Sequence, residues 1–333
     1  MSAVATGIGS MPGTDVREAV RVVLGELPDL PHLPELPGRG AVADVTGRST
    51  AVVAELGFDL QPAGWRLTGG SAASAGVDQR RARSLLAQDL DVLEELAQGY
   101  EGELKVQVAG PWTLAATVER PRGDRLLADV GARRELAQAL AEGITVHVAD
   151  LRRRVPGARL LVQVDEPALP AVLAGSVPTA SGFHRHRSVD APLASEALGW
   201  VFAAVTEAGA TPLAHCCAAD VPVALLRGAG AAGVSVDLLA LRAEGYDALA
   251  AALDEGDRVL LGVVPATDAS PRPEEKAVVD RVLRFLDMLG LDPDEVGDQL
   301  VLTPACGLAG ASASYAQEAL ALVRAGASRL TRG

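Results

Sequence analysis

Leu104-Lys105-Val106-Gln107-Val108-Ala109 runs straight into Gly110-Pro111, and this short apolar stretch followed by a turn sets the rhythm of the chain after it. A run of four to eight mostly apolar residues bounded by turn signals reads as a buried strand, and a proline at a first helical position opens the next element. The unit recurs. Strand 159–164 ends in Asp165-Glu166-Pro167, strand 212–217 precedes a helix over 221–229, and strand 233–236 precedes one around 246–251. Strand 258–264 precedes a helix over 273–289, and strand 299–304 one over 314–325. Longer helical patterns fill 80–98, 126–154 and 191–208. Upstream, 3–10 reads as a strand and loop before a helix over 16–27. The Pro-rich 31–36 reads as a second strand, since prolines favour strand ends and edges. Residues 51–56 read as helix and 58–68 as an extended excursion covering one end of the fold. Eight strand candidates, opening at Ala3, Pro31, Leu104, Arg159, Pro212, Gly233, Arg258 and Gln299, predict a (β/α)8 TIM barrel with an extended excursion after the second strand. A doubly wound open sheet is the alternative. No linker divides the chain, so 1–333 reads as a single barrel domain.

The 333-residue chain is 49% hydrophobic but only 3% aromatic, which suits short buried strands under Ala-rich helices. No stretch approaches the roughly 20 apolar residues of a membrane span, and no basic segment precedes an apolar one at the N-terminus. A cytoplasmic protein with no membrane partner is expected. The formal charge of -13 repels phosphate backbones over a Debye length of roughly 8 Å, so no nucleic-acid partner is expected. Three cysteines, two of them adjacent, make a poor disulfide framework and leave thiols for metal or catalysis.

In such a barrel chemistry gathers at the C-terminal ends of the strands, so the polar residues that close each apolar run are the candidates. They are Ser10, Glu35, Gly110-Pro111, Asp165-Glu166, His215 with Cys217, Asp237 and Cys306. His215 and Cys217, two residues apart on a strand, leave the same face. With Cys306 they supply three ligands for zinc, and Asp237 is a candidate fourth. Two thiolates, an imidazole and a carboxylate around a divalent cation leave about -1, an electron-rich site suited to taking up a thiol. Asp165 at the mouth can hold the ammonium of an amino-acid substrate, and Ile8-Gly9-Ser10 can offer N–H groups and a hydroxyl to its carboxylate. Plainer readings stand beside these. Cysteine is often buried without function, Asp237 and Asp165-Glu166 can cap helices, and Glu35 reads as a solvated loop acid. Cys216 faces the other way and reads as core, and His147 as structural. His184 and His186, with Arg185 and Arg187, form a basic loop. Trp112 either packs in the core or stacks on a flat ligand.

Taken in order, Thr6-Gly7-Ile8-Gly9-Ser10, Ala109-Gly110-Pro111, Gln163-Val164-Asp165-Glu166-Pro167-Ala168-Leu169, His215-Cys216-Cys217, Val234-Ser235-Val236-Asp237 and Pro304-Ala305-Cys306-Gly307-Leu308 resemble the catalytic C-terminal domain of the cobalamin-independent methionine synthase family. The resemblance extends to the wider superfamily shared with uroporphyrinogen decarboxylase, and it spans most of the chain. It implies a (β/α)8 barrel in which Zn2+ is held by His215, Cys217 and Cys306, with Asp237 where the family generally has a glutamate ligand. It also implies that Ile8, Gly9 and Ser10 hold homocysteine and that Asp165 binds its amino group, with Glu35 a candidate second acid. The activity implied is methyl transfer to a thiol, homocysteine giving methionine, from a folate or methylcobalamin-type donor. Beside aspartate for glutamate at 237, the chain departs from the family in two further ways: it matches only the short core form, and Gly262-Val263-Val264-Pro265-Ala266-Thr267 carries no histidine where the family's proton donor stands. Alkyl transfer to another thiol and a noncatalytic zinc- or ligand-binding barrel remain alternatives.

Overall fold

The computed structural model describes residues 3–71 and 75–330. Seven parallel strands curl into one sheet in the order β1-β9-β8-β7-β6-β5-β4, where β1 is Val4–Ala5, β4 Glu103–Ala109, β5 Arg159–Asp165, β6 Thr211–Cys216, β7 Gly233–Asp237, β8 Arg258–Val264 and β9 Leu300–Pro304. Each is followed by helix on the outer face, the alternation that makes parallel strands possible. The Pro-rich second strand exists only as isolated bridges, His32 to Lys105 and Ser10 to Glu35. The reason is covalent: Pro31 and Pro34 have no N–H to donate. The remaining groups split between the two open edges. Leu33 N–H reaches Lys105 O (2.9 Å) on β4, whereas Glu35 N–H reaches Gly9 O (3.1 Å) beside β1. Residues 31–35 thus close the sheet into the expected barrel.

The excursion is an antiparallel hairpin, β2 (Leu56–Gln61) against β3 (Gly64–Ser71). Its root is fixed by buried Gln79, which accepts from Phe58 N–H (2.9 Å) and donates to Thr50 O (2.9 Å) and Leu56 O (3.1 Å). Trp65 and Leu67 exchange backbone bonds with Glu119, which follows α4 (Pro111–Thr117) and so lies at the strands' C-terminal end. One helix differs from its expected position. In place of 51–56, α2 spans Val45–Val52, with Asp44 Oδ1 accepting from Gly47 N–H at 2.7 Å. Leu56 and Phe58 are drawn into the hairpin, where both are buried. Tertiary pairing overrides local pattern there.

Side chains alternate along each strand, and the inward set changes character along the barrel axis. The lower end is plugged by Leu30, Leu161, Leu213, Leu260 and Val301, and Arg258 pairs with Glu103 across it at 2.9 and 3.2 Å. Two residues further along from Val4, Leu30, Leu161, Leu213 and Val301 the interior turns polar, with Thr6, His32, Gln163, His215 and Thr303 all buried. The apolar plug supports a polar chamber that opens toward the rim.

Candidate functional site

His215 is the penultimate residue of β6 and points inward, because the register sets it beside Asp165 and Ser235. Its Nδ1 lies 3.0 Å from Ser235 Oγ, leaving Nε2 to face two sulfurs. Cys306 Sγ is 4.0 Å from that nitrogen and 3.2 Å from Cys217 Sγ, and the three ligand atoms all lie within 4.8 Å of one another. The sulfurs are too far apart for a disulfide, whose bond is about 2.05 Å. A tetrahedral zinc with bonds of about 2.3 Å to sulfur and about 2.0 Å to nitrogen has ligand-to-ligand edges near 3.5–3.8 Å, so the distances bracket what the ion needs. The chemistry fits too: one imidazole with its second nitrogen held by Ser235, and two half-buried thiols. The hydrogen bond from Cys306 to Cys217 holds the Cys217 thiol below its ordinary range and pushes Cys306 above it. Cys216, fully buried on the opposite face, is pushed up to about 12 by burial and stays a neutral thiol.

Asp237 stands outside this group. Its Oδ1 accepts from Leu239 N–H at 2.8 Å, so in this conformation it fastens the turn after β7, and among the described residues the group that could hold a metal ion is His215, Cys217 and Cys306.

The rest of the chamber is built from both ends of the sequence. Ile8 offers its carbonyl inward, where Lys105 Nζ (2.8 Å) and Gln163 Nε2 (2.9 Å) both donate to it. Gln163 Nε2 also donates to Asp165 Oδ1 at 2.7 Å, and Gln163 Oε1 accepts from Lys105 at 2.8 Å. Gly9 is required by contact, since a Cβ there would lie 2.7 Å from the Gln107 side chain. Ser10 Oγ rests against Gly307, where a Cβ would come within 2.0 Å. Gly307→Ala is therefore expected to rotate the Ser10 hydroxyl away and raise KM for an amino-acid substrate about tenfold, with metal content unchanged. Steady-state kinetics beside metal analysis would check this.

Glu35 is not the solvated acid its loop composition suggests: it is buried, 3.1 Å from Gln107 Nε2 and 3.8 Å from Arg48 Nε. Arg48 also pairs with Asp89, which Arg39 grips at 2.7 and 2.7 Å. Burial raises Glu35 to about 7 against the pull of Arg48, and lowers Lys105 to about 7 against Asp165 and Glu35. Burial also raises Asp165.

The two readings of Asp165-Glu166 divide between the residues. Asp165 faces the chamber. Glu166 caps a helix, although not the one that follows it: Oε1 accepts from Trp112 N–H (2.9 Å) and Oε2 from Thr113 N–H and Oγ1 (2.7 Å each), closing the start of α4. Gly110 makes room, because a Cβ there would meet Glu166 Oε1 at 2.3 Å. Trp112 is core, its Nε1 donating to Ala194 O at 3.1 Å. His147 is buried in the helix Val130–Arg154 and lowered to about 4 by burial. In the basic loop His186 Nε2 lies 3.1 Å from Asp124.

Lys105, Gln107, Gln163, Ser235 and Arg48 were not among the sequence candidates. For the first four a signal existed, since polar residues at every second position of a strand buried on both faces mark a polar interior.

No curated protein sequence matches the chain. Among solved structures, a B12-independent methionine synthase from Shewanella sp. W3-18-1, in complex with selenomethionine, is similar at 14% identity and a TM-score of 0.67, covering 100% of this chain and 98% of that one. A 2,3-dimethylmalate lyase of the PEP mutase/isocitrate lyase superfamily is more distant, at 10% identity and a TM-score of 0.40 over 91% of this chain and 76% of the other. The first likeness bears on the fold, a barrel matched over its whole length. Residues 94–329 match the model of the cobalamin-independent synthase catalytic domain, a span that contains β4 to β9 with His215, Cys217 and Cys306, and the chain belongs to that family.

Proposed function

We propose that the chain, as a single barrel, transfers a methyl group to the thiol of homocysteine, giving methionine, at a zinc held by His215, Cys217 and Cys306. The observation that carries this reading is the convergence of three metal ligands from two strand ends beside a buried acid, Asp165. A free thiol is mostly protonated at neutral pH, with pKa near 8.5, and a bound zinc supplies the charge that favours the thiolate. The protein's own groups do the rest. Asp165 accepts the substrate ammonium, leaving Gln163 to hold its Oδ1. Ser10 and the N–H groups of Ile8-Gly9-Ser10 receive the carboxylate. Held at both ends, the substrate directs its sulfur to the ligand cluster, and orientation of this kind supplies several kcal/mol of a barrier. Asp237, at the end of the neighbouring strand β7, is the candidate fourth ligand and would have to leave its bond to Leu239 N–H to serve. The lack of a histidine in 262–267 favours a methylcobalamin-type donor, whose leaving group needs no proton, over methyltetrahydrofolate, whose departing nitrogen does. Among the described residues no helix is long and apolar enough to cross a membrane, in keeping with small-molecule partners met in the cytoplasm.

Methyl transfer from each donor to homocysteine, with other thiols as controls, tests the reading. Transfer to homocysteine supports it, and activity with a different thiol alone overturns it.

Glu35, raised to about 7 by burial, gives a pH dependence. The ionised form is the one that attracts an ammonium, so affinity for methionine, which has no thiol to titrate, should rise about tenfold from pH 6 to pH 8. Calorimetric titration would measure it, and Glu35→Gln should flatten the profile.

A further inference from the structure

Buried lysines are rare unless paired, yet Lys105 is fully buried and, among the described residues, donates to Ile8 O and Gln163 Oε1, both at 2.8 Å. Neither is a carboxylate. An ammonium sealed in the interior against two neutral oxygens is costly, so what it holds together matters. Gln163 completes a triangle by donating to the same Ile8 carbonyl at 2.9 Å, and extends it to Asp165 Oδ1 at 2.7 Å. The amide orientation is fixed by the Ile8 carbonyl, which can only accept: nitrogen must face it, which leaves the oxygen toward Lys105. One end of this tie is the Ile8-Gly9-Ser10 segment after β1. The other is the acid that ends β5. These are 155 residues apart in sequence where Gln163 meets Ile8.

We infer that Lys105 and Gln163 are positioning residues that fix the separation between the Ile8–Ser10 segment and Asp165, and so select thiols that carry both a carboxylate and an α-ammonium. This rests on the reading of the site as one for an amino-acid thiol. Neither residue touches the substrate. Lys105 holds the carboxylate-binding segment through Ile8 O, and Gln163 holds Asp165 with one oxygen engaged and the other free for the ammonium. Because both bonds to Ile8 converge on one carbonyl, loss of either partner loosens one end of the clamp against the other.

The test compares homocysteine with 4-mercaptobutanoate, the same chain without its amino group, in the zinc-loaded full-length protein. Lys105→Met keeps the volume and removes the donors. Gln163→Glu keeps an oxygen for Lys105 but turns another on Ile8 O and Asp165. Each should raise KM for homocysteine about 10- to 100-fold, with kcat within about threefold and a clearly smaller rise in KM for 4-mercaptobutanoate, which engages the carboxylate end alone, and should weaken methionine binding in calorimetry by the same factor as KM for homocysteine. Should Lys105→Met fail to fold, Gln163→Glu carries the comparison alone. Equal losses with both thiols would mean general packing and overturn the inference, as would an unchanged KM for homocysteine. A wild-type protein that does not prefer homocysteine to 4-mercaptobutanoate would overturn the underlying reading and the inference with it.

Discussion

Cys217→Ser and Cys306→Ser are each expected to lower methyl transfer at least about 1000-fold, some 4 kcal/mol of barrier, together with loss of bound zinc. A hydroxyl is a poor substitute because zinc binds the deprotonated ligand, and serine stays protonated where a metal-bound cysteine does not. Both sulfurs are half-buried at the rim and neither supports the core, so the variants should fold. Cys216→Ser is the control. It changes a thiol of the same sequence triplet that faces the core, and it should cost stability while leaving zinc content intact. Metal analysis of protein purified without chelator, beside activity and thermal melting, separates the two outcomes. Activity retained by Cys217→Ser or Cys306→Ser would remove the metal from the reaction.

Asp165→Asn should lower kcat/KM for homocysteine about 100-fold, close to 3 kcal/mol, the range for taking the charge from one partner of a buried ion pair. Asparagine keeps an oxygen to accept from Gln163 Nε2, so the tie to Lys105 survives and the loss reports the charge. Burial raises the Asp165 carboxyl, which means that the ionised form is costly in the free protein and gains when an ammonium arrives. The effect should fall on KM more than on kcat and should be absent with 4-mercaptobutanoate. A loss shared equally by that thiol would reassign Asp165 from substrate to scaffold.

Much of this was legible in the chain because barrel geometry converts strand order into proximity. Apolar runs ending in polar residues brought His215, Cys217 and Cys306 to one rim, even though Cys306 lies 89 residues beyond Cys217. The second strand was legible as a segment but not as a ladder: its prolines leave N–H groups only where Leu33 and Glu35 can serve opposite edges. The burial of Glu35 could not be read from its loop composition, because the groups that make it tolerable, Arg48 and Gln107, come from other elements. Glu166 shows the same limit. A carboxylate before a proline suggests a cap for the next helix, and only the absence of a side chain at Gly110 allows it to cap one 54 residues earlier. Lys105 stands in a strand that is covered on both faces, and what makes its burial tolerable, Ile8 O and Gln163 Oε1, comes from other elements. Asp237 had two readings from the start, cap and ligand, and its carboxylate is engaged in the cap.

The central claim is that His215, Cys217 and Cys306 hold a zinc that takes up the substrate thiol. X-ray absorption at the zinc edge of the purified protein tests it most directly. The expected spectrum has two sulfur neighbours near 2.3 Å and nitrogen or oxygen neighbours near 2.0–2.1 Å, with a third sulfur appearing when homocysteine is added. A protein that binds no zinc, or a zinc whose sulfur count does not change with the thiol, would contradict it.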